Sequence, residues 1–304
     1  MPSLRVAVVL LVALWAAPAQ AGRGTSLLKY VPDDVEMVMS LDISGARSTP
    51  LFRRSLEILK VEAKDIWQTL RDAKFDLAKD LDTLLVAGSY SGGQATERFV
   101  AVFEGRLSGL QTIFHHNPVT LHRGVAVRVD AAKSLASLVV DKRLIVCSTS
   151  MLDDVVATIL RKRVSARTSR RATSLRSGLA GLDPRGDAWM VITGAAIKEA
   201  LPAGLKLSWM GVWAATNKGV AVELRAGTDS EAAAAEISTL LVGQIGAVKQ
   251  LLASQGFDSM AESFEAKTTG PVVGVSLLMS EEEVTKVLRL VSRQAAEEAE
   301  VKSP

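Results

Sequence analysis

Cysteine occurs once in 304 residues, histidine three times, tyrosine twice, and aromatic residues make up only 5%. The single thiol, Cys147, excludes an internal disulfide, so stability in an oxidising compartment has to come from the apolar core. Its setting, Leu144-Ile145-Val146-Cys147, predicts a buried and inert thiol. The histidines His115, His116 and His122 crowd into HHNPVTLH, but the H-E-x-x-H spacing is missing. The nearest acids in sequence are Glu104 and Asp130, so the cluster reads as a polar helix end and loop. G-x-S-x-G does not occur, and the glycine cluster GSYSGG lacks the lysine of a phosphate loop. Ser26-Leu27-Leu28-Lys29 matches S-x-x-K and Lys267-Thr268-Thr269-Gly270 is a broken K-T-G, yet no S-D-N element lies between them. No catalytic, cofactor-binding or metal-ligating residue is assigned, and no cofactor is implied. An excess of charge is lacking too. The formal net charge is +3, falling to +2 without Arg5 of the leader, which does not predict a nucleic-acid partner.

What is present begins with a leader. Arg5 forms a short positive region, Val6 to Ala17 an apolar one, and Ala19-Gln20-Ala21 a small-x-small cleavage site. Twelve apolar residues fall short of the roughly 20 that span a bilayer, so the pattern predicts a cleaved signal peptide over residues 1–21. No cysteine stands at the cleavage site, so a lipoprotein anchor is not indicated, and no later segment reads as long and apolar enough to span a membrane. The expected compartment is periplasmic or extracellular. Two asparagines against abundant alanine and arginine point to a GC-rich bacterial source.

The rest alternates strand and helix patterns. Val35 to Ile43 reads as a strand, and Thr49-Pro50 as the start of a helix striped by Phe52, Leu56, Leu59, Ala63, Ile66, Leu70 and Ala73. Leu81 to Glu104 reads as two strands around the turn SGGQAT, and Leu207 to Thr228 as a second hairpin turning at Asn217-Lys218-Gly219. Capping boxes are expected at Ser108–Gln111, Thr228–Glu231 and Ser280–Glu283, with Ser150 and Asp153 capping another helix. The helix after Thr228 is expected to turn Ile237, Leu240, Leu241, Ile245, Val248 and Leu252 inward. The predicted class is α+β, in two similar halves, each a mainly antiparallel sheet with packed helices. The halves are residues 22–164 and 187–304, joined by a basic Ser/Arg/Gly-rich link over 165–186.

The succession YVPDDVEMVMSLDI, STPLFRRSLEIL, DLDTLLVAG resembles uncharacterised exported bacterial α+β proteins sharing a P-D, strand, S-P-L-F-type helix, D-L-D-strand order. The resemblance is best over Tyr30 to Gly105. It implies export and architecture, and carries over no functional residue.

One surface stands out. Arg161, Lys162, Arg163, Arg167, Arg170, Arg171 and Arg176 occur between Val155 and Leu182 with no acid among them. In an exported protein the anions to meet are lipid head groups, surface polysaccharide or an acidic protein. Trp67, Trp189, Trp209 and Trp213 could line a groove, with Trp209 and Trp213 on one face of a strand, or could pack in the core. The reading is an exported, non-enzymatic binding or envelope-associated protein. A periplasmic carrier of a lipid or other apolar ligand is the alternative, and a hydrolase assembled from distant residues a third.

Overall fold

The structure is a computed structural model describing residues 23–287 apart from 50, 51, 54, 55, 58, 59, 61–63, 92, 93, 170–172, 183–185, 199–205 and 218. The leader, the Glu-rich tail, part of the first helical stripe and the tips of both hairpins therefore lie outside the described residues.

Twelve strands form one sheet: β1 (Met37–Asp42), β2 (Leu81–Ser91), β3 (Gln94–Gly105), β4 (Val119–His122), β5 (Val125–Asp130), β6 (Leu135–Val140), β7 (Arg143–Ser148), β8 (Ala188–Thr193), β9 (Trp209–Asn217), β10 (Gly219–Gly227), β11 (Glu265–Thr269) and β12 (Val272–Met279). Their order is β11-β12-β10-β9-β8-β1-β2-β3-β7-β6-β5-β4. Every adjacent pair is antiparallel. The predicted α+β class with antiparallel sheet and packed helices is what the chain adopts. The halves share a continuous sheet, and one pairing, β1 with β8, joins them. Outward from β1 run β2, β3, β7 and β6; outward from β8 run β9, β10, β12 and β11. The two predicted hairpins, β2–β3 and β9–β10, thus take corresponding places on either side of the seam.

Strand alternation divides the core between two faces. On β7, Ile145 and Cys147 point to one cluster, Leu144 and Val146 to the other. The first face is covered by α1 (Arg23–Leu27), α3 (Leu152–Ile159) and α4 (Thr173–Leu182), which bring Leu27, Val155, Val156, Leu175 and Leu182 against Val38, Leu85 and Val100. On the second, Phe52, Leu56 and Leu110 bury against Leu41, Leu144 and Ala188, with Trp67 and Leu70 of α2 (Lys64–Asp72) packed beside them. Each such aliphatic side chain contributes roughly 1.5–3 kcal/mol when fully buried. Cys147 is buried as expected, and burial pushes its thiol up to about 12, far from a reactive thiolate.

The caps sort by geometry. Thr49 Oγ1 accepts from the Phe52 N–H at 3.1 Å, as the sequence predicts. Ser280 and Glu283 form the reciprocal box: Glu283 N–H donates to Ser280 Oγ at 3.2 Å, and Ser280 N–H to Glu283 Oε2 at 2.7 Å. The other three expectations are corrected. The cap of α5 (Glu231–Ser254) is Ser230, because Thr228 Oγ1 is committed to the carbonyls of Ser230 and Pro271. Ser108 lies inside the helix it was expected to cap, which has no side-chain cap, and Ser150 pairs with Ser148 rather than with α3. The link between the halves is itself structured: α4 lays Leu175, Gly178 and Leu182 onto the sheet.

Candidate functional site

The basic stretch begins where α3 ends, and the structure divides its members. Arg163 turns inward to Asp33 at 3.4 Å, to Asp34 at 3.0 Å and to Asp154 in closer contact. Arg98 reaches Asp34 at 3.2 Å and Asp154 at 3.3 Å, closing a five-member network. The network is held in place by a bridge between Pro32 and Ser165 and by the Ala166 N–H donating to the Val31 carbonyl at 2.9 Å. Burial acts to raise the Asp33 carboxyl, but hydrogen bonds from Ser169 and Arg163 outweigh it and hold the group below the ordinary carboxylate range. Arg176 donates to the Ser169 carbonyl at 3.4 Å. Arg161, Lys162 and Arg167 are exposed, while Arg170 and Arg171 lie outside the described residues. An acid-free window in sequence is thus partly neutralised in space, by Asp33 and Asp34 about 130 positions before Arg163 and by Asp154 just outside the window.

The second feature was not visible as a run in the sequence. Helix α5 is 24 residues long, about 36 Å at 1.5 Å per residue, and packs on β11, β12 and α6 (Asp258–Ser263). Its inner side carries Ile237, Leu241, Ile245, Val248 and Leu252, all half-buried, and Ala234, buried. Leu240, expected on that side, is 66% exposed, with Val242 and Leu251 each 58% exposed. No charged residue occurs from Ile237 to Val248, and Gly243 and Gly246 face open space. An 18-residue stretch of the helix has mean hydropathy 1.2, and none of that stretch is buried. By length and composition α5 could therefore cross a membrane, which corrects the expectation that no segment after the leader could. Ser, Thr, Gln and Gly interleave the aliphatic residues and hide the pattern from a search for unbroken apolar runs.

With both features in place, comparison with known proteins adds a structural likeness. No family model and no curated protein matches the chain. A solved structure described as crystal form I of TP0453 is similar at 11% sequence identity and a TM-score of 0.42, over 87% of this chain and 96% of that one.

The remaining candidates resolve into structure. His115 and His116 are exposed in the turn after residues 108–112, whereas His122 sits on β4, a strand the sequence reading took for loop. His122 Nε2 lies 3.0 Å from Asp153 Oδ1, and Arg123 approaches the same oxygen at 2.7 Å. Among the described residues no three His, Cys, Asp or Glu side chains gather as a metal site. Trp189 and Trp209 are buried; Trp213 donates its indole N–H to Glu223 at 2.6 Å, and Trp67 packs on the opposite face. The tryptophans line no common groove. Lys29 of the S-x-x-K match is drawn to Asp141 at 3.5 Å, and Lys267 of the broken K-T-G stands on β11 at the far edge of the sheet. An open cleft of about 250 Å³ is walled by Phe114, Val119, Leu138 and Val139 with His115 and Arg128. A second of about 400 Å³ lies between α4 and the β10–β12–β11 strands, with Glu223, Arg225 and Lys267 in its wall.

Proposed function

We propose that the protein is an exported, envelope-associated binding protein that rests on a lipid surface through α5. The observation that carries this reading is the outward side of that helix, uncharged over twelve residues and displaying Leu240, Val242 and Leu251. Moving three partly exposed aliphatic side chains into the acyl boundary contributes a few kcal/mol, on the order of 1–2 each, which makes a reversible attachment rather than an anchor. The leader and the resemblance over Tyr30 to Gly105 support export. The carrier reading has less behind it, because both clefts are open and charged in part, whereas apolar-ligand pockets enclose most of their occupant.

Flotation of residues 22–304 with vesicles tests the proposal. Wild type is expected to float with zwitterionic vesicles at both low and high salt, and Leu240→Asp/Leu251→Asp to stay at the bottom. Replacing Arg161, Lys162 and Arg167 with Ser should leave zwitterionic binding unchanged and weaken only a salt-sensitive component on anionic vesicles. Binding confined to anionic vesicles and lost at high salt would transfer the contact to the basic stretch. No binding to either composition would end the lipid reading.

A further inference from the structure

The seam between β1 and β8 ends in two neighbouring carboxylates. Asp42 closes β1 and Asp187 immediately precedes β8; the Asp42 N–H donates to the Asp187 carbonyl at 2.7 Å, continuing the register in which Leu41 faces Ala188. Both side chains are withdrawn from water, at 6% and 2% exposure. Each spends one oxygen on well-defined donors. Asp42 Oδ1 accepts from the Ser44 N–H at 3.1 Å, Ser44 Oγ at 2.6 Å and the Gly45 N–H at 3.4 Å, capping the turn of helix over residues 43–46. Asp187 Oδ2 accepts from the Thr216 N–H at 2.8 Å and Thr216 Oγ1 at 3.2 Å. The other oxygens, Asp42 Oδ2 and Asp187 Oδ1, are buried with no hydrogen-bond partner, as is Oγ1 of Thr83, which faces Asp42 from β2 and is fully buried.

Among the described residues, the surroundings provide no positive charge to balance two carboxylates. Beyond Thr83 in the same row comes Glu104 on β3, already paired with Arg143 of β7. Arg47, just after the capped turn, is directed to the Leu81 carbonyl and Asp82. On the β9 side stands Thr216. Over the same face, α1 sets Gly24 against Ser40 and Trp189, and Arg176 of α4 bonds to Ser169. Among the described residues neither Asp42 nor Asp187 has an ion pair.

We infer that Asp42 and Asp187 share one proton, carried on Asp187 Oδ1 and donated to Asp42 Oδ2, and that the pair is a proton-dependent catch on the seam joining the two halves of the sheet. One proton satisfies both orphaned oxygens at once and reduces two buried charges to one. Asp42 Oδ1 receives three donors and Asp187 Oδ2 two, so the proton is placed on Asp187, the less fully satisfied carboxyl. The electrostatics agree: burial, partly offset by the Thr216 hydrogen bonds and reinforced by the Asp42 charge, raises the Asp187 carboxyl to about 7. A folded-state value above the unfolded one stabilises fully below the unfolded pKa and is lost as pH rises through the folded one. Releasing the proton leaves two like charges side by side across β1 and β8, and the seam loosens.

The experiment is denaturant unfolding of wild type and Asp187→Asn between pH 4 and 8, with hydrogen exchange at the β1 and β8 amides. The carboxamide replaces the acid's donor and does not titrate. The wild-type unfolding constant is expected to rise, relative to the variant's, by up to about tenfold per pH unit over most of that window, with exchange at the seam rising in step. Parallel pH profiles for the two proteins would overturn the proposal. So would a wild-type stabilisation by millimolar Ca²⁺ or Mg²⁺ that Asp187→Asn lacks, since a cation would then occupy the place of the proton. Should Asp187→Asn fail to fold, infrared difference spectra of wild type decide the matter: a protonated carboxyl band lost near pH 7 supports the shared proton, and its absence at pH 5 overturns it.

Discussion

Arg163 shows how a single residue changes meaning between sequence and structure. In the chain it is the third of three consecutive basic residues and belongs to a surface stretch; in the fold it is the hub of Asp33, Asp34 and Asp154, with about a quarter of its side chain exposed. Removing it strands the half-buried Asp33 carboxylate. Arg163→Ala is expected to destabilise the protein by about 1–2 kcal/mol, between the values of exposed and buried pairs, and Arg161→Ala by less than about 0.5 kcal/mol. Urea unfolding of both variants at neutral pH checks the difference. Asp33 also fixes the sign of the pH effect. Its lowered folded-state pKa stabilises above the unfolded value, and that contribution disappears as pH falls through the folded one. The loss on acidification should therefore shrink in Arg163→Ala. Asp187 works in the opposite direction, so the two residues bracket stability from the acid and alkaline sides.

At the scale of elements, α4 is the instructive case. It grows from a segment rich in Ser, Thr, Arg and Gly whose composition reads as a link, yet its glycines are what let it pack. A Cβ on Gly181 would come within 2.6 Å of the Trp209 ring, and one on Gly178 within 2.4 Å of Val191. The indole cannot retreat, because Gly227 stands as close on its other side. Gly181→Val is expected to cost about 1–3 kcal/mol by overpacking, while Gly181→Ala recovers part of its loss through helix propensity, about 1 kcal/mol. Thermal melts of the two variants measure the gap. What was legible in the sequence follows the same physics. Apolar strand patterns are found within the bounds read from the sequence: Val35 to Ile43 contains Met37–Asp42, and Leu207 to Thr228 contains Trp209–Asn217 and Gly219–Gly227. The edge strand β4 was hidden, because the alternation Val119-Thr120-Leu121-His122 is only four residues long, follows His116-Asn117-Pro118 directly and is mostly exposed. The exposed side of α5 was hidden for another reason: periodicity tells that a helix has an apolar stripe, and not whether its remaining side meets water. The Asp42–Asp187 pair depends on a register between residues 145 positions apart, which no local spacing encodes.

For the molecule as a whole, the continuous sheet makes the halves interdependent despite their corresponding strand orders. Separated chains of residues 22–164 and 165–304 would expose the edges of β1 and β8, buried strands with Val38, Leu41 and Val191 almost fully enclosed. Each is expected to aggregate alone and, when co-expressed with the other, to yield a soluble pair, as judged by size-exclusion chromatography. The strand order also dictates a sequence of events. Most pairings join strands close in the chain, such as β2 with β3, β5 with β6 and β9 with β10, and can zip from their turns. The seam instead brings Val38 to Val191, and closing so long a loop costs far more entropy than any hairpin. As the chain emerges from its N-terminus, β1 acquires β2 early and keeps its other edge open until β8 arrives. That interval is when the chain is most exposed to wrong partners, and it ends with the pairing that brings Asp42 beside Asp187.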